Sequence, residues 1–256
     1  MPAPQHSSSV ELAARLKVTA RSCTVSSRTQ LSPSIVEVVL HGDAADVAGV
    51  AGNDVMVLVN GADDAMIRRR YSVRDVDLAT DTFSLWVSLA HNGPASQWAR
   101  TAALGDAIDV VGPRGKIFLD ESADWHLFVG DVSSLGAFYR LAQSIEAPGR
   151  AIFIVEVDDP ADALTTTFDE ELGVTAIFVD RDGRPHDDAA GLLSGLAAFA
   201  IPPDEGHAYL FGEFHVMRTL KSALIDRGFD SSQISLKAFY RVGQSNGPNG
   251  EPSKDD

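Results

Sequence analysis

The chain changes texture once, near residue 120, and that change constrains its fold more than any other feature. Residues 16–119 carry short runs rich in Val, Ile, Leu and aromatics, at 16–25, 34–41, 54–60, 68–76, 83–90 and 107–112. Polar or Gly/Asp-containing turns separate them, the pattern of successive strands. Six such strands predict a small antiparallel barrel, which removes exposed sheet edges by closing on itself. One helix interrupts them at 94–104, with Pro94 suited to its first turn and Gly105 just past its end. Beyond residue 120, strands at 125–130, 151–157, 174–180, 208–212 and 233–241 alternate with helical patterns at 133–145, 161–172, 189–199 and 214–228. Strand–helix alternation predicts an open parallel sheet covered by helices. The expected organisation is a six-stranded antiparallel β domain at 15–120 and an α/β domain at 121–243. Residues 1–14 and 244–256, polar and rich in Pro, Ser or Gly, are expected to be disordered.

Composition narrows the partners. The formal net charge of −15 argues against a nucleic-acid backbone and against an anionic membrane surface. No apolar run approaches the ~18–20 residues that cross a bilayer. The single cysteine, Cys23, excludes an internal disulfide and a thiolate metal cage. Together with an N-terminus lacking a secretory pattern, this predicts a cytoplasmic protein.

Within this acidic chain, Arg68-Arg69-Arg70-Tyr71-Ser72-Val73-Arg74 gathers four arginines in seven residues. In a strand, side chains alternate faces, so Arg69 and Tyr71 share one face, and Arg68, Arg70, Ser72 and Arg74 the other. A guanidinium fork beside a phenol ring suits a ligand with both a phosphate and a flat ring. A solvated edge strand whose charges block pairing would carry the same residues. Asn92-Gly93-Pro94-Ala95-Ser96 opens the helix of the barrel, and a helix N-terminus with free N–H groups receives phosphate well. Ordinary helix initiation accounts for that segment taken alone. Taken together, the two features point to a dinucleotide whose pyrophosphate meets both.

These segments resemble those of a known family. Arg69–Arg74 is similar to the R-x-Y-[ST]-x-R flavin motif of the siderophore-interacting protein family, in the ferredoxin-reductase superfamily. GPASQWA at 93–99, LGDAIDVVGPRG at 104–115, WHLFVGD at 125–131, Gly212-Glu213 and FYRVG at 239–243 resemble further motifs of that family, in the same order. The resemblance implies an FAD-binding barrel and an α/β domain that binds NADPH or NADH. It implies a flavin-dependent oxidoreductase passing electrons from NAD(P)H through flavin to a ferric siderophore, releasing Fe(II). Carried over, Tyr71 would stack on the isoalloxazine, Arg69 would pair with the pyrophosphate, and Ser72 would bond near the ring or ribityl chain. Asn92, Gly93, Ala95 and Ser96 would hold phosphate. Gly130, Asp131, Ser133, Ser134, Gly212 and Glu213 would meet the nicotinamide nucleotide, and Arg68, Lys237, Tyr240 and Arg241 the siderophore. No side chain is expected to act as acid or base on the metal, because a flavin accepts a hydride and releases electrons singly.

The chain departs from the family pattern at Gly130–Ala137, where Val132 replaces a glutamate, Ser133-Ser134 a Thr-Ala pair and Gly136 a proline. His91 is displaced from the usual position of a histidine, and Phe211 and Phe214 flank Gly212-Glu213 in place of small residues. These changes predict an altered or narrowed pocket. They keep open a second reading, a biosynthetic flavoenzyme of this fold catalysing a non-redox cyclisation or isomerisation, and a third, a non-catalytic carrier of FAD or siderophore. No metal-ligand spacing, G-x-G-x-x-G or G-x-S-x-G setting accompanies these segments.

Overall fold

The computed structural model describes residues 5–60, 66–90, 93–146, 150–164 and 173–244. The chain divides into two compact units at Phe118/Leu119.

The first unit contains strands β1 (Thr19–Ser32), β2 (Ile35–His41), β3 (Asn53–Asn60), β4 (Met66–Ser72), β5 (Asp75–Asp77), β6 (Thr82–Ser88) and β7 (Ala107–Gly115). They form one antiparallel sheet in the order β4-β3-β7-β1-β2-β6-β5. β4 and β5 stand at opposite ends of that order, yet only Val73 and Arg74 join them. Two residues span at most about 10 Å, so the sheet has to curl until its ends meet. The connector is tied to the strand next to each end: Val73 N–H donates to Asn53 O of β3 (3.0 Å) and Arg74 N–H to Ser84 O of β6 (2.9 Å). Register shifts between Val25 and Ser27 and between Gln30 and Ser32 mark where the long β1 bends between its partners β7 and β2. The run expected as one strand over 68–76 is thus two, and the sheet has seven strands.

Two further expectations are corrected. The segment 1–14, expected to be disordered, is helical from Gln5, in a helix that runs to Leu16, α1. Leu12 and Leu16, four apart on one face, pack with Ala13 against Met56, Leu58 and Val111, and Ser9 Oγ donates to Asp109 at 2.8 Å. The helical spacing of Glu-Leu-Ala-Ala-Arg-Leu outweighs the Pro/Ser-rich composition before it. A short helix α2 (Ala44–Ala48) also joins the barrel, so α3 (Pro94–Thr101) is not its sole helix.

The second unit has β8 (Trp125–Asp131), β9 (Ala151–Val157), β10 (Thr175–Asp180), β11 (Gly206–Glu213) and β12 (Ile234–Tyr240), all parallel, in the order β10-β9-β8-β11-β12. α5 (Ala190–Ala198) and α6 (Phe214–Asp226) lay Leu192, Leu196, Met217 and Leu220 on one face. On the other face α4 (Leu135–Ala142) sets Phe138 among Phe128, Phe153 and Phe211, with centroids 5.4–5.8 Å apart. Each such fully buried ring contributes about 1.5–3 kcal/mol. The expected helix at 161–172 begins as a 3-10 turn (Pro160–Asp162), and the rest of it lies outside the described residues. The chain runs outward from β8 to β10, then returns to β11 on the other side. The order therefore reverses between β8 and β11, and ligands of such sheets bind at the carboxyl ends of the strands beside that reversal. Among the described residues no helix is long and apolar enough to cross a membrane.

Candidate functional site

In β4 the alternation expected from sequence holds. Tyr71 pairs with Val55 and Arg69 with Val57, and both valines belong to the barrel core. Arg70 and Arg68 pair with Met56 and Leu58, whose side chains lie under α1. The four arginines consequently meet four environments. Arg68 lines a cavity of about 430 Å³ with Glu11, Leu12 and Arg15 of α1, on the face of β4 away from Tyr71. Arg70 bonds Asp54, a carboxylate 2% exposed, at 3.2 Å. Arg74 lies over the Trp86 ring, 5.0 Å from its centroid, and the Trp86 indole N–H donates to Glu37 at 3.1 Å.

Arg69 differs from all three. It is half-buried, its guanidinium donates to Arg68 O at 2.9 Å, and among the described residues no carboxylate lies within ion-pair distance of it. Burial pulls its pKa down, as expected for a cation short of solvent. Beside it Tyr71 is half-buried against the core, and burial pushes the phenol pKa up, so the hydroxyl stays protonated. Ser72 shares the face of Arg70, not that of Tyr71.

α3 packs on the same core through Ala95, Ala99 and Trp98. Gly93 caps it with extended backbone and no side-chain hydrogen bond, and Pro94 opens its first turn. The amides of Ala95 and Ser96 therefore have no acceptor within the helix. Space is open where a side chain on Gly93 would stand. The Ser96 hydroxyl donates its one proton to Ser88 O (3.0 Å), so it can only accept from a ligand. Asn92 and His91 lie outside the described residues. Among the described residues, a half-buried cation with no carboxylate in ion-pair distance, a protonated phenol on the same strand face and two helix amides with no acceptor in their own helix are group types that suit a diphosphate and a flat ring.

The six groups expected at a nicotinamide nucleotide do come together, at the carboxyl ends of β8 and β11, but their bonds are already made. Asp131 Oδ1 accepts from Ser133 N–H (2.9 Å) and from its hydroxyl, and Asp131 Oδ2 accepts from Tyr240 Oη (2.8 Å). Ser134 Oγ, fully buried, donates to Phe211 O. Glu213, 1% exposed, caps α6 by accepting from His215 and Val216 N–H, and its other oxygen accepts from Val242 N–H at 3.2 Å. Gly130 and Gly212 serve packing: a Cβ on Gly130 would stand 2.1 Å from Phe211 O, and Gly212 has φ +151°. Burial and the neighbouring Asp131 carboxylate push the Tyr240 pKa up, which keeps its proton in that bond. In this structure the side chains of Asp131, Ser133, Ser134 and Glu213 are thus engaged within the chain.

The residues expected at the siderophore are divided between the units, Arg68 in the first and Lys237, Tyr240 and Arg241 in the second. Tyr240 is taken by Asp131. Arg241 lies over the Phe214 ring (4.9 Å) and donates to His215 Nε2 (3.1 Å), while the Lys237 ammonium sits 5.5 Å from the Phe239 centroid. Arg68 belongs to the first unit, under α1. Sequence reasoning missed Asp54 and Trp86, which decide the state of Arg70 and Arg74. A lone aspartate heading the apolar run Val-Met-Val-Leu-Val was the available signal for the first. Cys23 is buried and its thiol is pushed up to about 12, so it is inert at neutral pH. Among the described residues no cluster could hold a metal ion.

A closed antiparallel barrel followed by a five-stranded parallel sheet is the architecture of the ferredoxin-reductase-like proteins. The ferredoxin–NADP+ reductase of Plasmodium falciparum superposes with a TM-score of 0.70, at 12% identity over 86% of this chain and 96% of that one. The particular branch follows from two family models, a siderophore-interacting FAD-binding domain over residues 57–117 and a siderophore-interacting protein domain over 123–243. The chain belongs to the siderophore-interacting protein family. A siderophore utilization protein from T. fusca superposes with a TM-score of 0.76, at 25% identity over 90% of this chain and 95% of that one. An uncharacterized protein of Mycobacterium tuberculosis is 31% identical over 190 residues, 69% of this chain and 66% of the relative's length. The NADPH-dependent ferric-chelate reductase of Escherichia coli is 26% identical over 65% of this chain and 61% of its own length.

Proposed function

We propose that this protein is a flavin-dependent oxidoreductase that binds FAD in its barrel and reduces Fe(III) held by a siderophore to Fe(II). The observation that carries this reading is Arg69, a half-buried cation that meets no carboxylate among the described residues, on one strand face with a protonated phenol. Family membership supports it, as does the likeness to a ferric-chelate reductase. A bound flavin supplies the change from two-electron to one-electron chemistry that Fe(III) requires. The chain supplies binding and orientation. Arg69 and the amides of Ala95 and Ser96 neutralise the diphosphate, and Tyr71 offers its ring face to the flat end of the cofactor. No side chain need exchange a proton with the iron.

A second reading rests on a specific observation, the committed state of Asp131, Ser134, Glu213 and Tyr240. A chain whose own bonds fill the nucleotide crevice suits a flavoenzyme recruited to non-redox chemistry in biosynthesis, with FAD forming part of a pocket wall. One anaerobic experiment separates the readings. The FAD-loaded protein is reduced with dithionite, mixed with a ferric siderophore, and the flavin band and trapped Fe(II) are followed together. Reoxidation with stoichiometric Fe(II) supports the reductase, and a flavin that stays bleached rejects it. NADPH and NADH, added in place of dithionite, test whether either serves as reductant.

A further inference from the structure

Three side chains that the flavin reading leaves unused converge at the amino ends of the second sheet. His207 is the second residue of β11 and Ser235 the second of β12, while Asp120 lies just before β8. Tyr209 pairs with Ser235 in the parallel register, which puts His207 and Ser235 on one sheet face, diagonally adjacent. His207 Nε2 is 3.0 Å from Ser235 Oγ, and His207 Nδ1 is 3.0 Å from Asp120 Oδ2. Asp120 is held from two further directions. Its Oδ1 accepts from Ser122 N–H (3.1 Å) and Ser122 Oγ (2.6 Å), and its own N–H donates to Tyr209 Oη (2.7 Å).

The roles follow from the donor inventory. The Ser122 bonds hold the Asp120 carboxyl below its usual range, so it is an acceptor and Nδ1 of His207 carries the hydrogen. Nε2 then presents its lone pair to the Ser235 hydroxyl. His207 is 7% exposed, and burial lowers its pKa, so the ring is neutral at pH 7 and keeps a lone pair on Nε2. A hydroxyl, a neutral imidazole and an orienting carboxylate in this order are recognised by geometry and role, not by chain position. Ser235 is half-buried as a residue. Two residues along the same strand face stands Lys237, with its ammonium 5.5 Å from the Phe239 centroid. Phe239 follows on that face, 5.5 Å from Phe211 between centroids, and offers contact to an aromatic group.

We propose that Ser235, His207 and Asp120 form a second active centre that cleaves small carboxylic esters bearing an aromatic group, with Ser235 the nucleophile, His207 the general base and Asp120 a positioning residue. Ser235 Oγ bonds to the ester carbonyl carbon as its proton passes to His207 Nε2. The ester C–O bond breaks, and the alcohol leaves with that proton. Water then gives a proton to the same nitrogen and its oxygen to the acyl carbon, releasing the carboxylic acid and restoring the serine. Nothing in these steps needs the flavin, so this centre and the reductase stand or fall separately.

The test uses the full FAD-loaded chain with p-nitrophenyl acetate and a fluorophosphonate probe, locating any adduct by peptide mass mapping. The expected results are an adduct on Ser235, its loss in Ser235→Ala, and acylation slowed about 100-fold or more in His207→Gln. Ser235→Cys keeps a nucleophile beside the same base and should still acylate at position 235. Asp120→Asn should lower kcat with KM little changed, which a purely structural contact would not do. Melting temperature and flavin absorbance report folding of each variant. Should Ser235→Ala fail to fold, the wild-type adduct and the Cys variant decide. Adducts confined to lysines or tyrosines, or ester hydrolysis equal to wild type in a folded Ser235→Ala protein, would overturn the proposal.

Discussion

Replacing Arg69 by Met separates the role of that arginine from the roles of its neighbours. Removing it deletes a half-buried cation whose guanidinium donates to the backbone of Arg68 and, among the described residues, meets no carboxylate. The flavin-free protein therefore loses little, and its stability should stay level or rise slightly. Binding should respond in the opposite way. A hydrogen bond to a charged group contributes about 1.5–3 kcal/mol, so FAD affinity should fall about 10- to 150-fold. Arg70→Met gives the reverse pattern. It strips Asp54, 2% exposed, of an ion pair at 3.2 Å, and breaking such a pair costs about 3 kcal/mol, the low end for burial because the Arg70 side chain keeps 13% exposure. FAD titration by flavin fluorescence quenching, beside denaturant melts of the flavin-free proteins, reads both quantities. Equal loss of flavin affinity in the two variants, or unchanged affinity in Arg69→Met, would refute the assignment of Arg69 to the diphosphate.

Other perturbations address the second unit. Gly130→Ala places a Cβ 2.1 Å from the Phe211 carbonyl and 2.7 Å from Ser134 Oγ, so β8 and β11 have to part; urea unfolding should show a loss of about 3 kcal/mol. Glu213→Ala removes the acceptor at the start of α6 and should cost about 1–2 kcal/mol, with Glu213→Gln recovering part of it in the same melts. Tyr240→Phe takes the hydroxyl donor from Asp131, 6% exposed, for a loss of about 1–3 kcal/mol. Burial lowers the pKa of His126 from 6.5 to about 4, so between those values the unfolded chain binds a proton that the folded chain does not. Stability is then complete above pH 6.5 and falls as pH drops toward 4, by up to about 1.4 kcal/mol per pH unit; His126→Leu should flatten that slope in melts taken across the window.

Much of the fold was legible because it rests on local periodicity. The period of two in Arg68–Arg74 follows from strand geometry, and it sorted Arg69 and Tyr71 from Arg68 and Arg70 before any partner strand was known. The shift from strand runs to strand–helix alternation near residue 120 marked the two sheets for the same reason. The errors fell where composition competed with spacing. The Ser-rich start masked the Leu12/Leu16 stripe of α1, and the chain connection at Val73-Arg74 hid the break between β4 and β5 inside one apolar-polar run.

By itself, then, the amino-acid order determined the elements, their faces and the family, because each is written in residues near one another along the chain. Which charges are neutralised was decided by tertiary structure alone. Arg70 finds Asp54 on the neighbouring strand while Arg69, one residue away, meets no carboxylate among the described residues; Tyr240 reaches back across 109 residues to Asp131; and His207 meets Asp120 and Ser235 across 87 and 28. The physical reason is that a side chain's face is set by its own backbone, whereas its partner is set by strand order and register, which only the folded sheet fixes.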